Sequence, residues 1–200
     1  MIRSPKYISS IVPQSIRLLT ARNLSSSVTR MSYPSKEEIS NAVQESHSST
    51  KQFVLTETAI RISKPLETIK FYTGVLGMTL LLTRDDEKTR SSYYVFTFVN
   101  KNLIPQNDEK AFHKWRLGRS GNLEMAYSWD SIEHPTKYQC GKLNPDSFGH
   151  FGICVPDYEA AMKRFRELGC QVVENPADTS LSYILDPDGY KVEIFECHWS

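Results

Sequence analysis

Residues Ser180–Cys197, SLSYILDPDGYKVEIFEC, read as strand, turn and strand, and the rest of the chain falls into place around them. Asp186-Pro187-Asp188-Gly189 is turn chemistry: Pro presets φ and Gly accepts φ > 0. After the turn, Tyr190, Val192 and Ile194 alternate with Lys191, Glu193 and Phe195, the period of a sheet strand. One face of that strand is apolar. The other puts a carboxylate, Glu193, among aliphatic and aromatic neighbours, where an unpaired charge is costly. Glu193 is therefore a candidate functional group.

Upstream, Gly149–Val155 reads as a strand. Asp157–Leu168 reads as an amphipathic helix with Tyr158, Ala161, Met162, Phe165 and Leu168 on one side, ended by Gly169. Gln171-Val172-Val173 is a further strand, so the order is β-α-β-β-β. The first half repeats it. Gln52–Ser63 alternates as a strand, and Leu66–Leu76 has helical spacing ended by Gly77. Met78–Thr83, Ser91–Val99 and Gly121–Trp129 read as strands. Asp85–Arg90 is a charged hairpin turn, and Asn100–Arg119 a long polar connection.

The halves overlay at an offset of 93 positions, which puts Ile60 on Ile153, Ile69 on Met162 and Tyr72 on Phe165. The same offset puts Glu57 on His150. Leu123-Glu124-Met125 lies on Val192-Glu193-Ile194. Each half thus offers one candidate ligand from its first strand and one from its last. One imidazole and three carboxylates suit a single divalent ion such as zinc, iron or manganese.

Composition sets the surroundings. With 40% hydrophobic and 24% charged residues the chain reads as globular. A net charge of +1 gives no reason to expect nucleic acid, and no apolar run is long enough to span a bilayer. Cys140, Cys154, Cys170 and Cys197 have no short paired spacing, so neither a zinc knuckle nor a disulfide framework is expected, and a reducing compartment fits. No Asp or Glu precedes Glu37, while Arg, Lys and Ser are frequent. Residues 1–30 therefore read as a mitochondrial presequence directing the chain to the matrix, with Met31 as a second start for a cytoplasmic form. An arm follows at 31–51, where Ser35 and Glu38 form a capping box. The first module takes 52–130, a linker 131–147 and the second module 148–200.

The motifs together resemble glyoxalase I, the lactoylglutathione lyase of the vicinal-oxygen-chelate superfamily. They are Arg61-Ile62 with Lys64-Pro65, then Phe71-Tyr72-Thr73-Gly74-Val75-Leu76-Gly77-Met78, then Asn122-Leu123-Glu124 with Trp129. Phe148-Gly149-His150-Phe151-Gly152-Ile153 and Asp186-Pro187-Asp188-Gly189-Tyr190, running on to Glu193, complete the set. The resemblance implies an α+β fold of two paired βαβββ modules forming curved mixed sheets. It implies isomerisation of the methylglyoxal–glutathione hemithioacetal to S-lactoylglutathione through an enediolate, in methylglyoxal detoxification.

Carried over by motif, the metal positions are Glu57, Glu124, His150 and Glu193, with Glu193 and Glu124 as the proton-moving pair. Zinc is the first expectation; nickel, cobalt, manganese or iron are compatible. Arg61 and Ser128 fall on glutathione-binding positions, and Tyr93 and Val95 on the apolar substrate pocket. A homodimer with shared metal sites is implied, with the arm reaching the partner.

Three departures stand out. Glu57 replaces a residue that is usually Gln or His, so three carboxylates and a divalent ion sum to −1. Asp146 stands where the family has Arg, and Glu174 falls near a family Lys. A glyoxalase-like paralogue with another substrate, and a non-catalytic ligand-binding protein, are the alternatives these departures leave open.

Overall fold

The structure, a computed structural model, describes residues 33–135, 137, 138, 140, 148–175 and 178–197. The chain divides after Ser48 into two units. The first contains α1 (Lys36–Ala42), an exposed helix closed by the expected capping box. Ser35 Oγ accepts from the Glu38 amide at 3.1 Å, and the Ser35 amide donates to Glu38 Oε2 at 2.7 Å. The expected presequence and the Met31 start lie outside the described residues.

The second unit holds the repeat. Its first half runs β1 (Glu57–Ile62), α2 (Pro65–Lys70), β2 (Thr79–Asp86), β3 (Ser91–Thr97), α3 (Glu109–Leu117) and β4 (Asn122–Ser128). Its second half runs β5 (Phe151–Val155), α4 (Tyr158–Glu167), β6 (Val172–Asn175), β7 (Asp178–Leu185) and β8 (Lys191–Glu196). The sheets have orders β1-β4-β3-β2 and β5-β8-β7-β6. In each, the first strand pairs in parallel with the last and the other pairings are antiparallel. The fold is α+β, built from paired βαβββ modules.

The apolar faces of both sheets and the helices α2 and α4 enclose one core. Ile62, Tyr72, Met125, Met162, Ile184 and Val192 are fully buried in it. Pro at the first position of α2 fits a helix start, since its missing N–H has no partner there anyway. The helix widens into a π-helical turn over Phe71–Val75, and the chain leaves it through Gly77 at φ +76°.

The Asp-Pro-Asp-Gly turn does more than reverse the chain. Gly189 has φ +96°, as the turn requires. Asp186 Oδ1 accepts the amides of Asp188, Gly189 and Tyr190 at 2.8–3.0 Å, and its Oδ2 accepts the Tyr72 hydroxyl of the other module at 3.1 Å. Asp188 accepts the Ser63 amide at 3.0 Å and the Ser63 hydroxyl, while Lys64 Nζ donates to the Pro187 carbonyl at 2.7 Å. The Tyr190 hydroxyl donates to the Arg61 carbonyl at 2.9 Å. On the far side, the Arg164 guanidinium of α4 donates to the Gly74 and Val75 carbonyls at 2.9 and 2.7 Å. Polar bonds thus join the modules at both ends of α2.

Three expectations need correction. The first strand begins at Glu57 rather than Gln52, and Phe53 and Leu55 are exposed. The connection 100–119 contains a helix, α3, capped by the Asp108 side chain on the Ala111 amide at 2.9 Å. The cysteines do include a pair: parallel pairing of β5 with β8 brings Cys154 and Cys197 within 5.5 Å (Cα–Cα), and they are joined as a disulfide. Sequence spacing alone does not reveal such a contact, because 43 residues separate the two.

Candidate functional site

Strand registry decides which side chains share a face. In the first sheet, Glu124 pairs with Ala59 and with Val95, and Ala126 with Arg61 and Tyr93. Glu57, Arg61, Glu124, Tyr93, Val95 and Ser128 therefore stand on one face, the face turned away from Ile60, Ile62 and Met125. Val95 is fully buried; Glu57, Tyr93, Glu124 and Ser128 are half-buried, and Arg61 is exposed. In the second sheet, Glu193 pairs with Gly152 and with Tyr183. Gly152 is the repeat mate of Ala59, so Glu124 and Glu193 occupy equivalent registers in the two sheets.

The four candidate ligands come together as two pairs. His150 Nε2 lies 2.5 Å from Glu193 Oε2, and the Tyr183 ring lies 5.5 Å from the imidazole, centroid to centroid. Glu193 is only 3% exposed, on an interior strand, which sets it apart from a solvated edge carboxylate. Glu57 and Glu124 form the second pair. Burial pushes the Glu124 carboxyl above its ordinary value and the Glu57 charge adds to this, while Arg116 and Arg84 pull it back. Among the described residues of one chain, no three His, Cys, Asp or Glu side chains gather into a single metal-holding group. Each pair supplies half of an imidazole-plus-carboxylate donor set, chemistry that fits a divalent ion.

Two residues of this face escaped the sequence reading. Arg116, on α3, donates through Nη1 to Glu57 Oε2 at 2.8 Å. Asn122 Nδ2 bonds both the Thr56 carbonyl and the Arg116 carbonyl at 3.0 Å, tying the end of α3 to the start of β1. The signals were present: Asp108 as a cap, Gly118 beyond the last turn, and basic residues between. Arg84, opposite Tyr93 in the β2–β3 pairing, lays its guanidinium over the Tyr93 ring at 4.3 Å.

The expected changes at the substrate end look different in three dimensions. Glu174 is held by Arg166 of α4 at 2.7 Å, so its charge is answered locally. Asp146 lies outside the described residues.

Gly152 is where close approach demands glycine. A Cβ there would overlap the Phe195 ring. Gly152→Ala is expected to displace Phe195 and disturb the neighbouring Glu193, lowering turnover about ten- to a hundredfold while Tm shifts only a few degrees. Parallel kinetics and melting curves check this; an unchanged kcat would count against a role for this strand pair.

The sequence profile of the Glyoxalase/Bleomycin resistance protein/Dioxygenase superfamily matches residues 54–194. A lactoylglutathione lyase of Pseudomonas aeruginosa is 36% identical over 151 residues, covering 74% of this chain and 84% of that protein. Glyoxalase I of Saccharomyces cerevisiae is 29% identical over 155 residues, covering 75% of this chain and 47% of that one. Among solved structures, a trypanothione-dependent glyoxalase I of Leishmania major superposes with a TM-score of 0.54 at 22% identity, covering 72% of this chain and 86% of that chain.

Proposed function

Because the chain belongs to the glyoxalase/bleomycin resistance protein/dioxygenase superfamily, and within it to the lactoylglutathione lyase family, we propose that it isomerises the methylglyoxal–glutathione hemithioacetal to S-lactoylglutathione. The observation that carries this is the equivalent placement of two donor pairs, Glu57 with Glu124 and His150 with Glu193, on repeated sheets. Those four side chains would hold one divalent ion, zinc first among the candidates. Each chain offers two half-sites, so two copies complete a site: Glu57 and Glu124 of one chain stand with His150 and Glu193 of the partner subunit.

When bound, the ion supplies Lewis-acid polarisation of the substrate oxygens. The chain's own groups move the proton and hold the substrate. A Glu193 carboxylate oxygen takes the proton from the carbon bearing sulfur and returns it to the adjacent carbon. Glu124 approaches from the other side of the substrate. Arg61 holds a glutathione carboxylate, Ser128 accepts or donates a hydrogen bond beside it, and the Tyr93 ring, backed by the buried Val95, packs the methyl end. Residues 1–30 direct this activity to the mitochondrial matrix, and a chain starting at Met31 stays in the cytosol.

The direct test follows hemithioacetal consumption with zinc, nickel, cobalt, manganese or iron added to apo-protein. Lack of turnover with every ion would end this reading. Light scattering on the loaded protein reads the dimer; an active monomer would rule out shared sites.

Arg84 adds a cation to the same face, so the peptide's negative charge has two guanidinium groups to meet. Arg84→Ala is expected to raise KM about three- to tenfold with a smaller fall in kcat, since an anchoring charge contributes mainly to uniform binding while Arg84 also acts on the Glu124 carboxyl. An unchanged KM would remove Arg84 from the substrate's surroundings.

A further inference from the structure

We propose that Arg116 sets the charge of the ion site, cancelling the surplus that Glu57 brings and leaving Glu57 Oε1 to the ion. The inference rests on Glu57 being a ligand. Three carboxylates around a divalent ion leave one uncompensated negative charge. A site of that charge holds its ion tightly but polarises substrate oxygens poorly, because part of the ion's field is already spent on its own ligands. Arg116 supplies one fixed positive charge at the ligand concerned, at 2.8 Å. With it, the donor set, the guanidinium and the ion sum to zero.

The geometry is that of a built-in partner rather than a surface contact. Arg116 is 9% exposed, and its Nε is buried without a hydrogen-bond partner. Placing an arginine there costs desolvation, which only a well-aligned anion offsets. Its backbone is fixed from two sides: the Asn122 amide bonds its carbonyl, and the cap on Asp108 fixes the start of its helix. Surface pairs of the same chain, such as Arg90 with Asp130, have both partners more than half exposed. Arg116 touches neither substrate nor ion and acts through Glu57, so it is a positioning residue. No other cation is bonded to Glu57 among the described residues.

A charge-setting residue has a signature that a structural ion pair lacks. Removing the positive charge makes the site more anionic, which tightens ion binding and weakens polarisation, so affinity and turnover move in opposite directions. A merely structural pair would loosen the site and lower both.

The experiment uses full-length protein as wild type, Arg116→Met, Arg116→Lys, Glu57→Gln and the Glu57→Gln/Arg116→Met double variant. Zinc affinity of each apo-protein is measured by competition with a chromophoric chelator, alongside kcat on the hemithioacetal and Tm of the apo form. Arg116→Met is expected to bind zinc about tenfold more tightly with kcat at least tenfold lower. Glu57→Gln, which leaves the guanidinium without its anion, is expected to bind zinc about tenfold more weakly. The double variant regains neutrality and returns to within about threefold of wild type in both, while Arg116→Lys stays close to wild type.

Unchanged zinc affinity in Arg116→Met, a joint fall of affinity and kcat, or additive losses in the double variant would each overturn the proposal. If Arg116→Met gives no soluble protein, the double variant, in which no buried charge is unpaired, is compared with wild type, and a zinc affinity or kcat more than about threefold away overturns the proposal. Wild type that binds zinc but leaves the hemithioacetal untouched would defeat the substrate assignment alone, with the affinities still deciding the role of Arg116. Wild type that binds no divalent ion would defeat both.

Discussion

Glu193→Gln is expected to lower kcat on the hemithioacetal roughly a thousandfold while leaving the fold intact. A positioned general base contributes on the order of a hundred- to ten-thousandfold, and the amide removes basicity while keeping shape. The site tolerates the swap sterically, since Gln matches Glu in shape and keeps one oxygen beside His150. Glu193 is almost fully buried on its strand, where it pairs with Gly152 and Tyr183. Zinc content measured on the same preparations separates loss of the base from loss of the ion. A variant that retains its zinc and works within tenfold of wild type would show that Glu193 moves no proton.

The second large effect is on stability. Asp186→Ala at pH 7 is expected to cost about 3 kcal/mol, because three backbone amides and the Tyr72 hydroxyl lose their acceptor at a buried position. For a chain of this size that is a fall in Tm of roughly 6–12 °C. Asp186→Asn keeps an oxygen for the three amides and is expected to cost about 1 kcal/mol.

The same residue gives stability a pH dependence. Burial pushes the Asp186 carboxyl up to about 6, against the opposing pull of its hydrogen-bond donors. The folded state therefore holds a proton that the unfolded chain releases near the ordinary carboxylate value. The associated stabilisation is complete below that ordinary value, about pH 4. It declines as pH rises and is gone above about pH 6. Denaturant melts between pH 4 and pH 7 should show wild type losing stability relative to Asp186→Asn; parallel curves would contradict a raised carboxyl.

Much of this arrangement could be read from residues alone, for identifiable reasons. Duplication makes two weak patterns support each other, so Glu57 over His150 and Glu124 over Glu193 is legible in the sequence. The identical registry of Ala59–Glu124 and Gly152–Glu193 puts Glu124 and Glu193 at equivalent places in the two sheets, while Glu57 opens β1 and His150 immediately precedes β5. The Asp-Pro-Asp-Gly turn was legible because its chemistry is local. Its bonds to Ser63, Lys64 and Tyr72 were not, since they span more than a hundred residues. Helix α3 was missed because a polar stretch hid its caps, and with it Arg116, whose meaning depends on a neighbour 59 positions away. The disulfide between Cys154 and Cys197 depends likewise on a parallel pairing that spacing does not reveal.

Each module closes only when its opening strand meets its final one, β1 with β4 and β5 with β8. On the ribosome this imposes a timetable. A nascent chain can assemble Glu57 with Glu124 long before it finishes, yet His150 waits without its carboxylate until Lys191–Glu196 has emerged. A message cut short at the Asp-Pro-Asp-Gly turn would yield a nearly full-length polypeptide with an unpaired imidazole and an unsealed second sheet.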